Sequence, residues 1–142
     1  MKYLYSFTLL VTLTLLFTSC SKKSWLAPYD DRLEGTWELV DVYKTGFGHS
    51  DLAFDGGLFT FYASGQLDYQ DGYGGYYEGD WDIRRINTAD GTIKTLKVYC
   101  VDRATGIVLG EYFDEMIFTG TNRFEAYIYD GARTYTFQFR RR

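Results

Sequence analysis

From Gly35 to Arg140 hydrophobic and polar residues alternate in short runs separated by glycine-bearing breaks. The clearest run is Tyr76–Arg84. Tyr77, Gly79, Trp81 and Ile83 fall on one face, and Glu78, Asp80, Asp82 and Arg84 fall on the other. A period of two marks a strand with one dry and one wet face. Phe124, Ala126 and Ile128 repeat it, as do Tyr135, Phe137 and Phe139. The same reading predicts eight strands, at 35–44, 57–63, 66–70, 76–85, 92–101, 107–118, 123–129 and 134–140. Between them stand Ser64-Gly65, Asp71-Gly72, Asp90-Gly91, Thr105-Gly106, Thr119-Gly120 and Asp130-Gly131. Each supplies a glycine for the positive φ of a tight turn. Short connections make neighbouring strands antiparallel. Strands joined in this way leave two raw edges unless the sheet closes. The economical architecture is therefore all-β, an eight-stranded antiparallel up-and-down barrel over residues 35–142, with a two-sheet β-sandwich as the alternative.

The pattern ahead of Gly35 is different. Lys2 precedes an apolar run from Leu4 to Phe17, which Thr18, Ser19 and Cys20 follow. The run is short for a membrane span and has the order of a signal peptide: charge, apolar stretch, small residues. Phe17-Thr18-Ser19-Cys20 resembles the lipobox of bacterial lipoproteins, with Phe17 where leucine is usual. The resemblance implies that residues 1–19 are removed and that Cys20 is acylated, as by palmitate, and becomes the new N-terminus. Each buried methylene adds about 0.8 kcal/mol of membrane affinity, so several acyl chains hold a protein stably. Residues 20–34 then read as the lipidated cysteine and a tether, in which Pro28 and the pair Asp30-Asp31 can start a helical turn. The expected location is the bacterial cell envelope. Ser21 after the cysteine favours the outer membrane by resemblance to the enterobacterial sorting rule, and Lys22-Lys23 favours its periplasmic face.

Composition narrows the choice of function. Aromatic residues make up 20% of the chain and there is a single proline, which suits pleated sheet. The net charge is −4, and Arg140-Arg141-Arg142 is the one basic run, so no nucleic-acid partner is expected. With Cys20 acylated, Cys100 has no partner for an internal disulfide; it shares a face with Leu96 and Val98 and reads as a small buried hydrophobe.

The strand that opens Gly35-Thr36-Trp37-Glu38-Leu39 carries a further resemblance. A G-x-W phrase in strand one, eight strands, an arginine ending the last strand and the later Tyr77-x-Gly79-x-Trp81 phrase resemble the lipocalin superfamily, and more closely the lipocalin-like lipoproteins of Bacteroidota. The likeness implies that Trp37 closes one end of the barrel and that an arginine lies over its ring, with Arg140 the expected partner. A guanidinium over an indole contributes about 0.5–2 kcal/mol.

Chemistry is sparse. His49 is the one histidine, beside Ser50 and Asp51, and adjacency in sequence does not make a triad. Neither a zinc set nor the spacing of a calcium loop is present around Asp68 and Asp71, and no glycine-rich loop opens a helix for a phosphate. No enzyme activity, metal or cofactor is expected. The candidate ligand site is the barrel mouth opposite Trp37, formed by loops 45–56, 71–75, 102–106 and 130–133. Phe47, His49, Phe54, Tyr73, Arg103 and Arg133 are its expected lining, suited to a small apolar or amphipathic molecule. Such a protein acts as a ligand binder or has a structural role, with the membrane as its partner through Cys20. The alternatives are an inhibitor that inserts a loop into an envelope-directed enzyme such as lysozyme, or a glycan-binding module using tyrosines of the Tyr69–Tyr77 segment. An open interior points to the first reading, a solid barrel with a protruding loop to the second, and an exposed aromatic row to the third.

Overall fold

The computed structural model describes residues 26–48 and 50–142. Cys20, the signal segment and His49 lie outside the described residues. A short helix, α1 (Tyr29–Leu33), follows Pro28 within the segment read as a tether, and its Leu33 is fully buried. Nine strands come next: β1 (Gly35–Thr45), β2 (Gly57–Phe61), β3 (Gln66–Gln70), β4 (Tyr76–Thr88), β5 (Gly91–Val101), β6 (Val108–Phe113), β7 (Glu115–Phe118), β8 (Arg123–Asp130) and β9 (Arg133–Arg141). They form one antiparallel sheet in the order β6-β5-β4-β3-β2-β1-β9-β8-β7.

Two expectations need correction. The strand read at 107–118 is broken at Asp114, so the described residues form nine strands and not eight. Its first half pairs with β5 and its second half with β8. The sheet edges are thus β6 and β7, which do not pair with each other, and the ladder does not close into a barrel. The physical reason is connectivity. Consecutive segments joined through one residue cannot fold back on each other, so each half takes the neighbour already beside it. At the break, the Asp114 carboxylate accepts the backbone N–H of Tyr129 at 2.7 Å, in place of a ladder carbonyl. The strands also make one sheet, where a sandwich needs two.

The sheet nevertheless curls round a single core. Phe113 on β6 meets Phe137 on β9 with ring centres 4.9 Å apart, and Phe139 stacks on Phe124 of β8 at 4.3 Å. Phe59 on β2 meets Phe139 at 5.5 Å, and Phe61 meets Trp81 of β4 at 5.7 Å. Edge-to-face and offset pairs of this kind add to the burial of the rings themselves. Gly79 serves the curl by lacking a side chain: a Cβ there would overlap the carbonyl oxygen of Tyr99 and the Cα of Cys100 on β5.

Cys100 is fully buried, and burial pushes its thiol from an ordinary 9.0 up to about 11. Above the ordinary value the unfolded chain releases a proton that the folded chain still holds. Stability should therefore fall as pH rises from 9.0 and level off near 11. Urea unfolding across this window should show the loss in the native protein and a smaller one in Cys100→Ala, which removes that thiol and leaves the tyrosines. Identical pH profiles for the two would refute it.

Candidate functional site

At the end of the sheet nearest α1, Trp37 is fully buried and donates its indole N–H to the Leu33 carbonyl at 2.6 Å. The arginine over its ring is Arg141, at 4.2 Å, and not the expected Arg140. Arg141 also donates to the carbonyls of Glu34, at 2.7 Å, and Arg32. Strand alternation explains the correction. Phe137, Phe139 and Arg141 share the inner face of β9, where Arg141 is the register partner of Trp37. Arg140 points outward and pairs with Glu38 at 2.8 Å. Arg32 completes the closure, with its guanidinium 3.9 Å above the Phe118 ring.

The opposite end is closed as well. The chain between β1 and β2 folds over it and is pinned at two points: the Ser50 hydroxyl donates to Asp130 at 2.7 Å, and the Ala53 N–H donates to Glu111 at 3.1 Å. This brings Phe54 into the core, 5.1 Å from Phe59 and 4.9 Å from Tyr69. The Tyr69 hydroxyl donates to the Gly56 carbonyl at 2.9 Å, and burial, helped by Asp55 and Asp71, raises its pKa well above the ordinary range.

Of the residues expected to line a mouth, the five that are described therefore do not converge. Phe54 is a plug, 1% exposed, while Phe47 is 96% exposed and Tyr73 88% exposed. Arg103 turns outward to Glu78, and Arg133 lies against Gly48 and pairs with Asp130. The reason is bulk: the rings of β2, β3 and β9 fill the inside, and the loop contributes one more.

The concave surface lies outside the sheet. A groove of about 450 Å³ runs across β3 and β4, with Tyr62, Gln66, Asp68, Tyr76, Glu78 and Arg103 in its walls. Cross-strand register builds it, since Asp68 faces Glu78 and Gln66 faces Asp80 on the outer side. Tyr62 and Tyr76 are both half exposed in the walls of this groove, and the Tyr62 hydroxyl donates to Asp68 at 2.8 Å. The Asp68 carboxylate raises the pKa of both phenols. Arg103 Nε stands 2.5 Å from Glu78 Oε2 as an ion pair without the alignment of a hydrogen bond. Asp71 turns away and caps its own turn, accepting the N–H groups of Tyr73 at 2.8 Å and Gly75 at 2.9 Å.

The sequence reading had singled out the segment that supplies Tyr76, but it missed Tyr62 as its counterpart. The one available signal was period two on β3, which places Asp68 opposite in sense to Leu67 and Tyr69. Chemically, the groove offers two amphipathic rings for stacking, carboxylates and an amide as acceptors, and one cation. Among the described residues no group of three or more His, Cys, Asp or Glu side chains is arranged to hold a metal.

Fold and surface together define an all-β, single-sheet protein with a filled interior and an outer groove. No family model matches the chain, and no curated protein or solved structure matches it at a significant level.

Proposed function

We propose that this chain is a lipid-anchored envelope protein whose lipocalin-like domain binds saccharides in the groove between Tyr62 and Tyr76, and carries no ligand inside. The observation behind this reading is the groove itself: two half-exposed tyrosines, Tyr62 and Tyr76, line it together with Asp68 on an open outer face, while the interior is filled. A sugar ring presents C–H groups on its faces and hydroxyls round its edge. The tyrosine rings suit the faces, and Asp68, Glu78 and Gln66 suit the hydroxyls. The Trp37–Arg141 closure fits the lipocalin-like resemblance, and Lys2, Leu4–Phe17 and Cys20 supply the anchor. On this reading the domain sits at the periplasmic face of the outer membrane.

Calorimetric titration of the protein with neutral gluco-oligosaccharides and N-acetylglucosamine oligomers tests the groove. Binding by at least one series is expected, weakened about three- to tenfold by Tyr76→Ala, the value of one aromatic contact. No binding by either series, or binding indifferent to Tyr62→Ala and Tyr76→Ala, would sink the saccharide reading. The anchor is tested separately. Metabolic labelling with an alkyne fatty acid should mark the native protein and leave Cys20→Ala unmarked, because alanine has no thiol to acylate. Label retained by the variant would rule out Cys20 as the anchor.

A further inference from the structure

The end of the sheet that receives residues 26–34 carries a second depression with the opposite chemistry. It encloses about 420 Å³ on the outer face of β1, β9 and β8, and Val40, Thr119, Arg123, Glu125, Gln138 and Arg140 line it. Arg123 and Arg140 are register partners on adjacent strands. Like charges directly opposite each other on one face are unfavourable unless something of opposite sign joins them.

The neighbouring carboxylates fill that role only in part. Glu38 takes Arg140 at 2.8 Å and also Arg142 at 2.5 Å, so one acid serves two cations. Glu125 accepts from the Gln138 amide at 3.0 Å and from the Tyr127 hydroxyl. Arg123 is exposed, and no carboxylate pairs with it among the described residues. The apolar wall comes from a β-bulge. The register of β1 against β9 shifts between Leu39 and Asp41, which leaves Val40 outward and 45% exposed. Bulges of this kind re-aim a side chain at the rim of a site.

The charge of the whole molecule points the same way. Its net charge is −4, yet towards this end Arg32, Arg84, Arg85, Lys94, Arg123, Arg140, Arg141 and Arg142 balance Asp30, Asp31, Glu34, Glu38, Asp82, Asp90 and Glu125. Asp51, Asp55, Asp71, Asp102 and Asp130 gather at the other. The end beside residues 26–34 is therefore the less acidic of the two.

We propose that this depression binds the phosphate of an anionic phospholipid headgroup in the leaflet that holds the anchor. Two guanidinium groups suit phosphate oxygens better than two ammonium groups would, because each presents a planar fork of donors. The Thr119 hydroxyl supplies a further donor, and Val40 suits the glycerol carbons. Bound in this way, the domain stands with the Arg123–Arg140 end on the bilayer and its acidic end away from it, with the tyrosine groove open at the side. The direction of the membrane rests on the anchor reading; the phosphate chemistry does not.

Side-chain NMR of arginine Nε–H groups on the full chain in non-ionic detergent tests this. Three probes are titrated: dioctanoyl phosphatidylglycerol below its micellar concentration, dioctanoyl phosphatidylcholine, and inorganic phosphate. Phosphatidylglycerol should move the Arg123 and Arg140 signals and bind more tightly than the other two probes. Arg123→Gln, an exposed change that leaves the core intact, should weaken it about five- to tenfold. An equal response to phosphatidylcholine, or inorganic phosphate binding as tightly as the lipid, would overturn the proposal, the latter by assigning the site to free phosphate. So would silent arginines, or binding unchanged in Arg123→Gln. An unacylated Cys20 alongside a phosphatidylglycerol response would leave the site standing and remove only the anchor.

Discussion

Replacing Trp37 with alanine is expected to cost the domain about 3–5 kcal/mol, the range for deleting a large buried aromatic side chain. The indole has no exposure, and it meets Phe124 at 4.8 Å and Phe118 at 6.0 Å between ring centres. Its removal leaves a cavity, an unmet carbonyl at Leu33 and a guanidinium, Arg141, with no ring beneath it. The helix α1 should loosen with it, because the indole N–H is its direct tie to β1. Urea unfolding followed by far-ultraviolet circular dichroism gives the number, and a loss under about 1 kcal/mol would show that the ring does not close this end. An internal contrast sharpens the test. Arg141→Ala should be clearly destabilising, whereas Arg140→Ala removes a half-exposed surface ion pair worth about 1 kcal/mol or less.

Phe54→Ala is expected to cost a similar amount, about 3–5 kcal/mol, and to change behaviour as well as stability. The ring is 1% exposed between Phe59 and Tyr69, and the loop that carries it is also tied down by Ser50 to Asp130 and by the Ala53 N–H to Glu111. Truncation leaves a dry space walled by aromatic rings at the end where a ligand mouth was expected. Apolar cavities of this type stay empty of water and accept small aromatic molecules. The native protein should therefore ignore a fluorescent apolar probe or benzene, and Phe54→Ala should bind one of them. Strong probe binding by the native protein would mean that the interior is open, and the carrier reading would return. Failure of the variant to bind, with its stability reduced as expected, would mean that the loop collapses into the space.

The strands were legible because the hydrophobic period of two is local information. Tyr77 and Ile83 on β4, or Phe137 and Phe139 on β9, need no knowledge of their neighbours to be assigned to one face. Most turns were legible for the same reason: Gly65, Gly72, Gly91, Gly106 and Gly131 do adopt positive φ, whereas Gly120 does not. The aromatic closure by Trp37 was suggested by a phrase in the first strand, but its arginine was misassigned to Arg140. Alternation carried one residue further would have reached Arg141, which lies in phase with Phe139. In that case the signal was present and was not followed to the strand's end.

Other features depended on the tertiary structure. The break at Asp114 shifts the phase of the alternation, from Phe113 buried on β6 to Met116 and Phe118 buried on β7, with Asp114-Glu115 between them; which partner each half takes was decided by β5 and β8, each of which needs one. The fate of Phe54 was hidden. A ring in a long loop reads as a site lining or as a plug according to how much room the other rings leave, and that is a sum over strands distant in sequence. The two surface sites arise by register: Asp68 meets Glu78, and Arg123 meets Arg140, only because particular residues face each other across a ladder. Local alternation determined which residues point in and which point out. Pairing and packing, which join residues far apart in the chain, decided which of them meet, and so which end is sealed, which face is grooved and where the charges gather.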